Sequence, residues 1–66
     1  MTNTIKIERA IHNLTQAELA EKIGVSRQTI NAMESNKYVP SAVLAMKIAR
    51  LFNKPVEAVF QLQEND

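Results

Sequence analysis

The residues Thr15-Gln16-Ala17-Glu18-Leu19-Ala20-Glu21-Lys22-Ile23-Gly24-Val25-Ser26-Arg27-Gln28-Thr29-Ile30 decide the fold. Thr15 and Glu18 stand at capping-box spacing: the threonine oxygen can accept the Glu18 backbone N–H while the glutamate reaches back to the N–H of Thr15. A helix is predicted to begin there. Leu19, Ala20 and Ile23 then share one apolar face, and Gly24 follows where a left-handed residue closes a helix without a steric penalty. Ser26 is placed to cap the next helix. In that helix, predicted over Arg27 to Ser35, Ile30 and Met33 occupy one side, whereas Arg27, Gln28, Asn31 and Ser35 occupy the other. Two helices joined by so short a turn must approach closely, which accounts for the small Ala20 and for the chain's only glycine at Gly24.

Before this helix-turn-helix pattern, Ile7, Ile11 and Leu14 repeat at i, i+4 and i+7, the predicted inner stripe of a first helix that Asn13 closes. Pro40-Ser41 opens a fourth helix with Leu44, Ile48, Leu51 and Phe52 on its buried stripe. Lys54-Pro55 precedes a short fifth helix, because proline suits a first helical turn, and Val56, Val59 and Phe60 cover its inner face. Gln61-Leu62-Gln63 alternates like a short strand, and Glu64-Asn65-Asp66 is expected to fray. Low aromatic content and a single glycine disfavour a chain of strands and tight turns. The expectation is one all-α domain over residues 1–66, a compact bundle of five short helices, open to extension by a terminal β-strand pair formed with Thr2 to Ile5.

A chain of 66 residues hides only ~60% of the surface it exposes when unfolded, so the core is expected to be marginal. Disulfides and a structural metal are not available to a sequence with no cysteine and a single His12. Self-association is the remaining route to stability. The start lacks the apolar stretch of a secretory signal, and the longest apolar run, Ala42 to Met46, is too short to cross a bilayer; a cytoplasmic location without membrane contact is expected. The formal net charge is +1, yet its distribution is uneven. Lys22, Arg27, Lys37, Lys47, Arg50 and Lys54 face only Glu34 across the middle of the chain, and only acids follow Lys54. A local basic surface attracts phosphates even on a nearly neutral molecule. No glycine-rich phosphate loop, paired metal ligands or nucleophile with a base is present, so neither an enzyme nor a cofactor or metal site is expected, and no small-molecule effector is evident.

Over about Ile5 to Phe60 the sequence resembles the phage-repressor-like, or Xre/Cro-type, helix-turn-helix family. The resemblance is carried by Leu14-Thr15-Gln16, Leu19-Ala20, Ile23-Gly24-Val25-Ser26 and Ile30, then by Glu34, Pro40 and the helix from Leu44 to Leu51. It implies a four- or five-helix bundle that binds double-stranded operator DNA as a dimer, commonly as a repressor. It implies base contacts from Gln16, Arg27, Gln28, Thr29 and Asn31: a guanidinium matches guanine O6 and N7, and a glutamine amide matches adenine N6 and N7. Phosphate contacts are implied for Thr15 and Gln16 at a helix N-terminus and for the loop Ser35-Asn36-Lys37-Tyr38. The family commonly has glycine where Asn36 stands, and asparagine tolerates the left-handed conformation that the turn needs. By the same resemblance Arg9 and Glu34 form an ion pair between the first and third helices. Ser26 and Ser41 read as caps and not nucleophiles, His12 as an exposed partner of a helix end, and Met33 and Met46 as core filler.

The function expected is therefore a sequence-specific regulator, most simply a repressor, that reads a palindromic operator as a homodimer through the major groove. The C-terminal segment 55–66 is the expected dimer contact, through Val56, Val59, Phe60 and Leu62, which exceed what one short helix and a tail are expected to bury, and Val43 and Met46 add apolar surface beside the main stripe of the fourth helix. The competing expectation is an interaction adaptor or antitoxin-like module on the same fold. Arg27 and Gln28 argue against it, because protein interfaces favour apolar anchors at their centre.

Overall fold

Each of the three central helices starts on a hydroxyl side chain. In the computed structural model, which describes residues 1–66, the order is β1 (Thr2–Asn3), α1 (Ile5–Ile11), α2 (Gln16–Ile23), α3 (Arg27–Glu34), α4 (Ala42–Leu51), α5 (Val56–Val59) and β2 (Phe60–Gln61). Thr15 Oγ1 accepts the Glu18 N–H at 3.0 Å, and Glu18 Oε1 accepts the Thr15 N–H at 2.9 Å, so both halves of the capping box form. Ser26 and Ser41 cap α3 and α4 by accepting from Thr29 and Leu44, each at 3.2 Å. Such a cap typically contributes ~1 kcal/mol by satisfying an otherwise orphaned N–H.

The helix ends follow one rule. Asn13, Gly24, Asn36 and Asn53 all have positive φ, at 56°, 78°, 62° and 56°. In each case the next residue donates its N–H to a carbonyl five positions back: Leu14 to Arg9, Val25 to Ala20, Lys37 to Ala32 and Lys54 to Ala49. This is the Schellman closure, which turns the chain sharply and satisfies a terminal carbonyl. Three asparagines and one glycine thus perform the same task, because the asparagine side chain lowers the cost of the left-handed conformation.

The core gathers Ile5, Leu19, Ile30, Met33, Ile48, Phe52 and Val59, all but sealed from solvent, with Ala20 and Ala49 where helices approach. Only Gly24, Val25 and Ser26 separate α2 from α3, and the buried Ala20 lets the two pack closely. Ile48 and Phe52 lie on the inner stripe of α4 as predicted, with Leu44 buried and Leu51 half-buried.

The first helix turns the other way from the predicted stripe. Ile7 and Ile11 are 61% and 65% exposed, whereas Ile5 and Glu8 point inward. Leu14 is half-buried against the core edge. The inner face contains a carboxylate because Lys54, just after α4, reaches Glu8 Oε2 with its Nζ at 2.5 Å. His12 packs its ring on Phe52, with centroids 5.1 Å apart.

At the ends of the chain β1 pairs antiparallel with β2 in the register Thr2↔Gln61 and Asn3↔Phe60, within one polypeptide. The Thr4 N–H continues the ladder to the Val59 carbonyl at 2.9 Å. This short sheet seals Val59 and Phe60 into the core, so the expectation that the bundle leaves them in surplus is corrected: a small lid of paired strands covers them. Val56 remains half-buried and Leu62 is 81% exposed. The last residues are also tied and not simply frayed, since Asp66 accepts the Gln63 N–H and pairs with the terminal amine of Met1, both at 2.7 Å.

Candidate nucleic-acid interface

One surface collects the polar residues of α3 beside the start of α2. Arg27, Gln28 and Asn31 are exposed along α3, one helical turn apart or less, and Thr29 is half-buried at the edge of the row. The Thr29 hydroxyl meets Ser26 Oγ at 3.0 Å. Arg27 lines a groove with Arg9, Thr15, Gln16 and Ala17, so it borders the first turn of α2. That turn has N–H groups without intrahelical acceptors and the positive end of the helix dipole, both favourable to an anion.

Behind this face a hydrogen-bonded chain joins three helices. Arg9 on α1 donates from Nε to Glu34 Oε2 at 2.5 Å and from Nη2 to Glu34 Oε1 at 3.1 Å, while its Nη1 donates to the Leu14 carbonyl at 2.9 Å. The ion pair is well shielded, with side-chain exposures of 15% and 8%. Gln16 on α2 donates from Nε2 to Glu34 Oε1 at 3.0 Å and to Asn31 Oδ1 at 3.4 Å. Burial works to raise the pKa of Glu34, but the hydrogen bonds from Arg9 and Gln16 and the charges of Arg9 and Lys6 outweigh it, and the carboxyl is held below its ordinary value. The Glu18 carboxyl is also lowered, chiefly by the Thr15 backbone N–H and then by its hydroxyl.

At the far end of α3 the loop Ser35, Asn36, Lys37 and Tyr38 is exposed. Ser35 Oγ donates back to the Asn31 and Ala32 carbonyls at 3.1 and 3.2 Å. Asn3 anchors the loop from behind, donating to the Met33 carbonyl at 2.7 Å and to Asn36 Oδ1 at 3.3 Å. The left-handed Asn36 therefore shapes the turn with its backbone and takes the Asn3 amide with its side chain, leaving Lys37 and Tyr38 outward.

The basic residues do not form one surface. Lys22, Lys47 and Arg50 line a separate groove between the end of α2 and α4, and Lys54 is committed to Glu8. Of the basic residues from Lys22 to Lys54, Arg27 and Lys37 are the two at the ends of α3. Sequence reading found the α3 row and its flanks, but it gave no sign of the Gln16 link to Glu34 and Asn31. Such contacts depend on how helices cross, which spacing along the chain does not encode. Val43 and Met46, expected to add apolar surface beside the main stripe of α4, are each 64% exposed, and the reading of Met46 as core filler is corrected. With Val39, which is also exposed, they repeat at i, i+4 and i+7.

A bundle whose second and third helices meet over a three-residue turn, with the third presenting an uncovered polar row, is a helix-turn-helix domain. A model of the helix-turn-helix family matches residues 5–59. Over the full length of both chains, the sequence is 52% identical to an HTH-type transcriptional regulator of Methanocaldococcus jannaschii and 44% identical to the HTH-type transcriptional regulator YgzD of Bacillus subtilis. The fold is similar to the crystal structure of a candidate DNA-binding protein from Bacteroides fragilis, with a TM-score of 0.79, 36% identity, and coverage of 88% of this chain and 94% of that one. The chain belongs to the Xre/Cro-type helix-turn-helix family of transcriptional regulators, which are not enzymes. No helix is long and apolar enough to cross a membrane.

Proposed function

We propose that this chain is a sequence-specific repressor that binds a palindromic double-stranded operator as a homodimer, laying α3 in the major groove. The carrying observation is the exposed row Arg27, Gln28 and Asn31 directly beside the open N-terminus of α2. In this reading Arg27, Gln28 and Asn31, with Gln16 and the Thr29 methyl, meet base edges. Thr15 at the start of α2, and Ser35, Asn36, Lys37 and Tyr38 beyond α3, straddle that row and meet the two backbones. One copy covers a half-site, and a two-fold pair spaced about 34 Å apart reaches successive major grooves.

The second copy is placed at the C-terminal segment 55–66. With Val59 and Phe60 inside the monomer, Leu62 and the half-buried Val56 are the apolar side chains that this segment has left for a partner. Sedimentation of the intact chain at micromolar concentration is expected to show a dimer, and Leu62→Ser is expected to shift it toward monomer without changing which bases are preferred. A monomer at that concentration removes this interface.

The deciding experiment for the function is selection of bound sites from random duplexes, followed by titration across a salt series. Arg27→Ala is expected to relax one base position, at a cost of about 1–3 kcal/mol of discrimination. Lys37→Ala is expected to weaken all sequences alike and to lower the salt slope by about one unit. An intact chain that enriches no sequence, or binds with no salt dependence, refutes the proposal in favour of an adaptor or antitoxin-like module.

A further inference from the structure

A carboxylate can only accept hydrogen bonds, whereas a primary amide has one end that accepts and one that donates. Glu34 therefore dictates how Gln16 must turn. Its Oε1 takes one Gln16 Nε2 hydrogen at 3.0 Å, and the other hydrogen of the same nitrogen goes to Asn31 Oδ1 at 3.4 Å. Both Gln16 donors are then used, and the end left for a ligand is its carbonyl oxygen. Asn31 has its oxygen occupied by Gln16, so the end it presents is its Nδ2, with two donors. Arg9 holds Glu34 with two further hydrogen bonds and prevents the carboxylate from rotating away.

We propose that Glu34, although it sits behind the recognition face, is the positioning residue that sets the base preference of Gln16 and Asn31. This rests on the DNA-reading function proposed for the same face. Together the two side chains offer an acceptor next to a donor, the complement of the adenine major-groove edge: the N6 amino group donates to Gln16 Oε1, and N7 accepts from Asn31 Nδ2. Guanine offers acceptors at both places and sets its O6 against the Gln16 oxygen. The same orientation leaves the Gln16 side chain no donor for a phosphate oxygen, so α2 anchors the DNA backbone through its N-terminal N–H groups and not through this amide.

The test begins with the half-site selected by the intact protein. One adenine is expected at which purine, lacking the amino group, and 7-deazaadenine, lacking N7, each weaken binding about tenfold. Glu34→Met combined with Arg9→Met, which leaves no buried charge unpaired, removes the acceptor and frees either end of the Gln16 amide to face outward. Preference at that position is expected to move from adenine toward guanine by about tenfold while the other positions hold. A purely structural ion pair changes affinity at every position alike. Should the double variant fail to fold by circular dichroism, Gln16→Met supplies the readout: it erases the purine penalty and leaves the 7-deazaadenine penalty in place. An unchanged base profile in the folded double variant, or a purine penalty that survives Gln16→Met, overturns this assignment alone. Failure of the intact chain to select any sequence overturns the DNA-reading function and this assignment with it.

Discussion

Removing the Lys54 ammonium is expected to damage the fold more than removing the carboxylate that it meets. The Lys54 side chain is 42% exposed, whereas that of Glu8 is 4% exposed, and Glu8 Oε1 is buried with no hydrogen-bond partner. In Lys54→Met the carboxylate keeps its burial and loses its one counter-charge. Breaking a fully buried pair in this way costs ~3–5 kcal/mol. Solvent already reaches the lysine side, which screens the pair, so the expected loss is about 2–3 kcal/mol. For a domain of this size that lowers the melting temperature by about 10–20 °C. Glu8→Gln is expected to cost less, about 1–2 kcal/mol, because the freed lysine swings into water and the amide left buried without partners carries no charge. The double variant Glu8→Leu, Lys54→Met is expected to recover most of the loss, since an apolar replacement of both partners removes the desolvation penalty altogether. Thermal and urea unfolding followed by circular dichroism measure all three. The reasoning fails if Lys54→Met melts within a few degrees of the parent, or if the double variant is no more stable than Lys54→Met.

Three further outcomes follow from the same structure. Gly24→Ala meets no neighbouring atom but forces a Cβ residue to φ 78°, so it is expected to cost about 1–2 kcal/mol in urea unfolding, and Gly24→Asn less than half of that; equal costs would show that conformation is not the cause. Ala20→Leu is expected to lose about 1–3 kcal/mol by overpacking the α2–α3 contact, whereas Ala17→Leu, on the exposed side of α2, leaves the melting temperature nearly unchanged. Glu34 has a folded pKa below its ordinary value of 4.5, so its contribution is complete above that value and is lost as pH falls below it through the folded pKa; Glu34→Gln should flatten this acid limb of the stability profile, and an unaltered limb would assign it to other carboxyls.

The parts of the fold that were legible in the sequence are those fixed by local chemistry. Thr15 with Glu18, Ser26, Ser41, Asn13 and Gly24 marked helix starts and stops because capping is settled within a few residues. The first helix was misread for the opposite reason. Its inner face includes Glu8, whose partner Lys54 is 46 residues away, and an apolar period cannot register a buried charge neutralised from so far along the chain. Ile7 and Ile11 offered a cleaner stripe on the wrong side. Val59 and Phe60 looked surplus because the lid over them, β1 on β2, is assembled from the two ends of the chain. For the interface, the outer row Arg27, Gln28 and Asn31 followed from helical spacing alone, and the Arg9 to Glu34 pair from family resemblance. The orientation of Gln16 by Glu34 was in neither, since it arises only when three helices meet.

The strand pair also orders events in time. Thr4 and Ala58 meet across a separation of 54 residues, whereas Gln16 and Asn31 meet across 15. Closing the longer loop costs about 1 kcal/mol more chain entropy, from ~0.6 kcal/mol per doubling of length. The helix-turn-helix can therefore assemble early from nearby residues, and the ends close over it last. In the reverse direction the ends are the natural place for the native protein to open first, leaving α2 and α3 docked. Native-state hydrogen exchange reads this order directly: the Thr4 amide should exchange through a smaller opening than the Ile30 amide, and identical opening energies for the two would mean that the chain opens only as a whole.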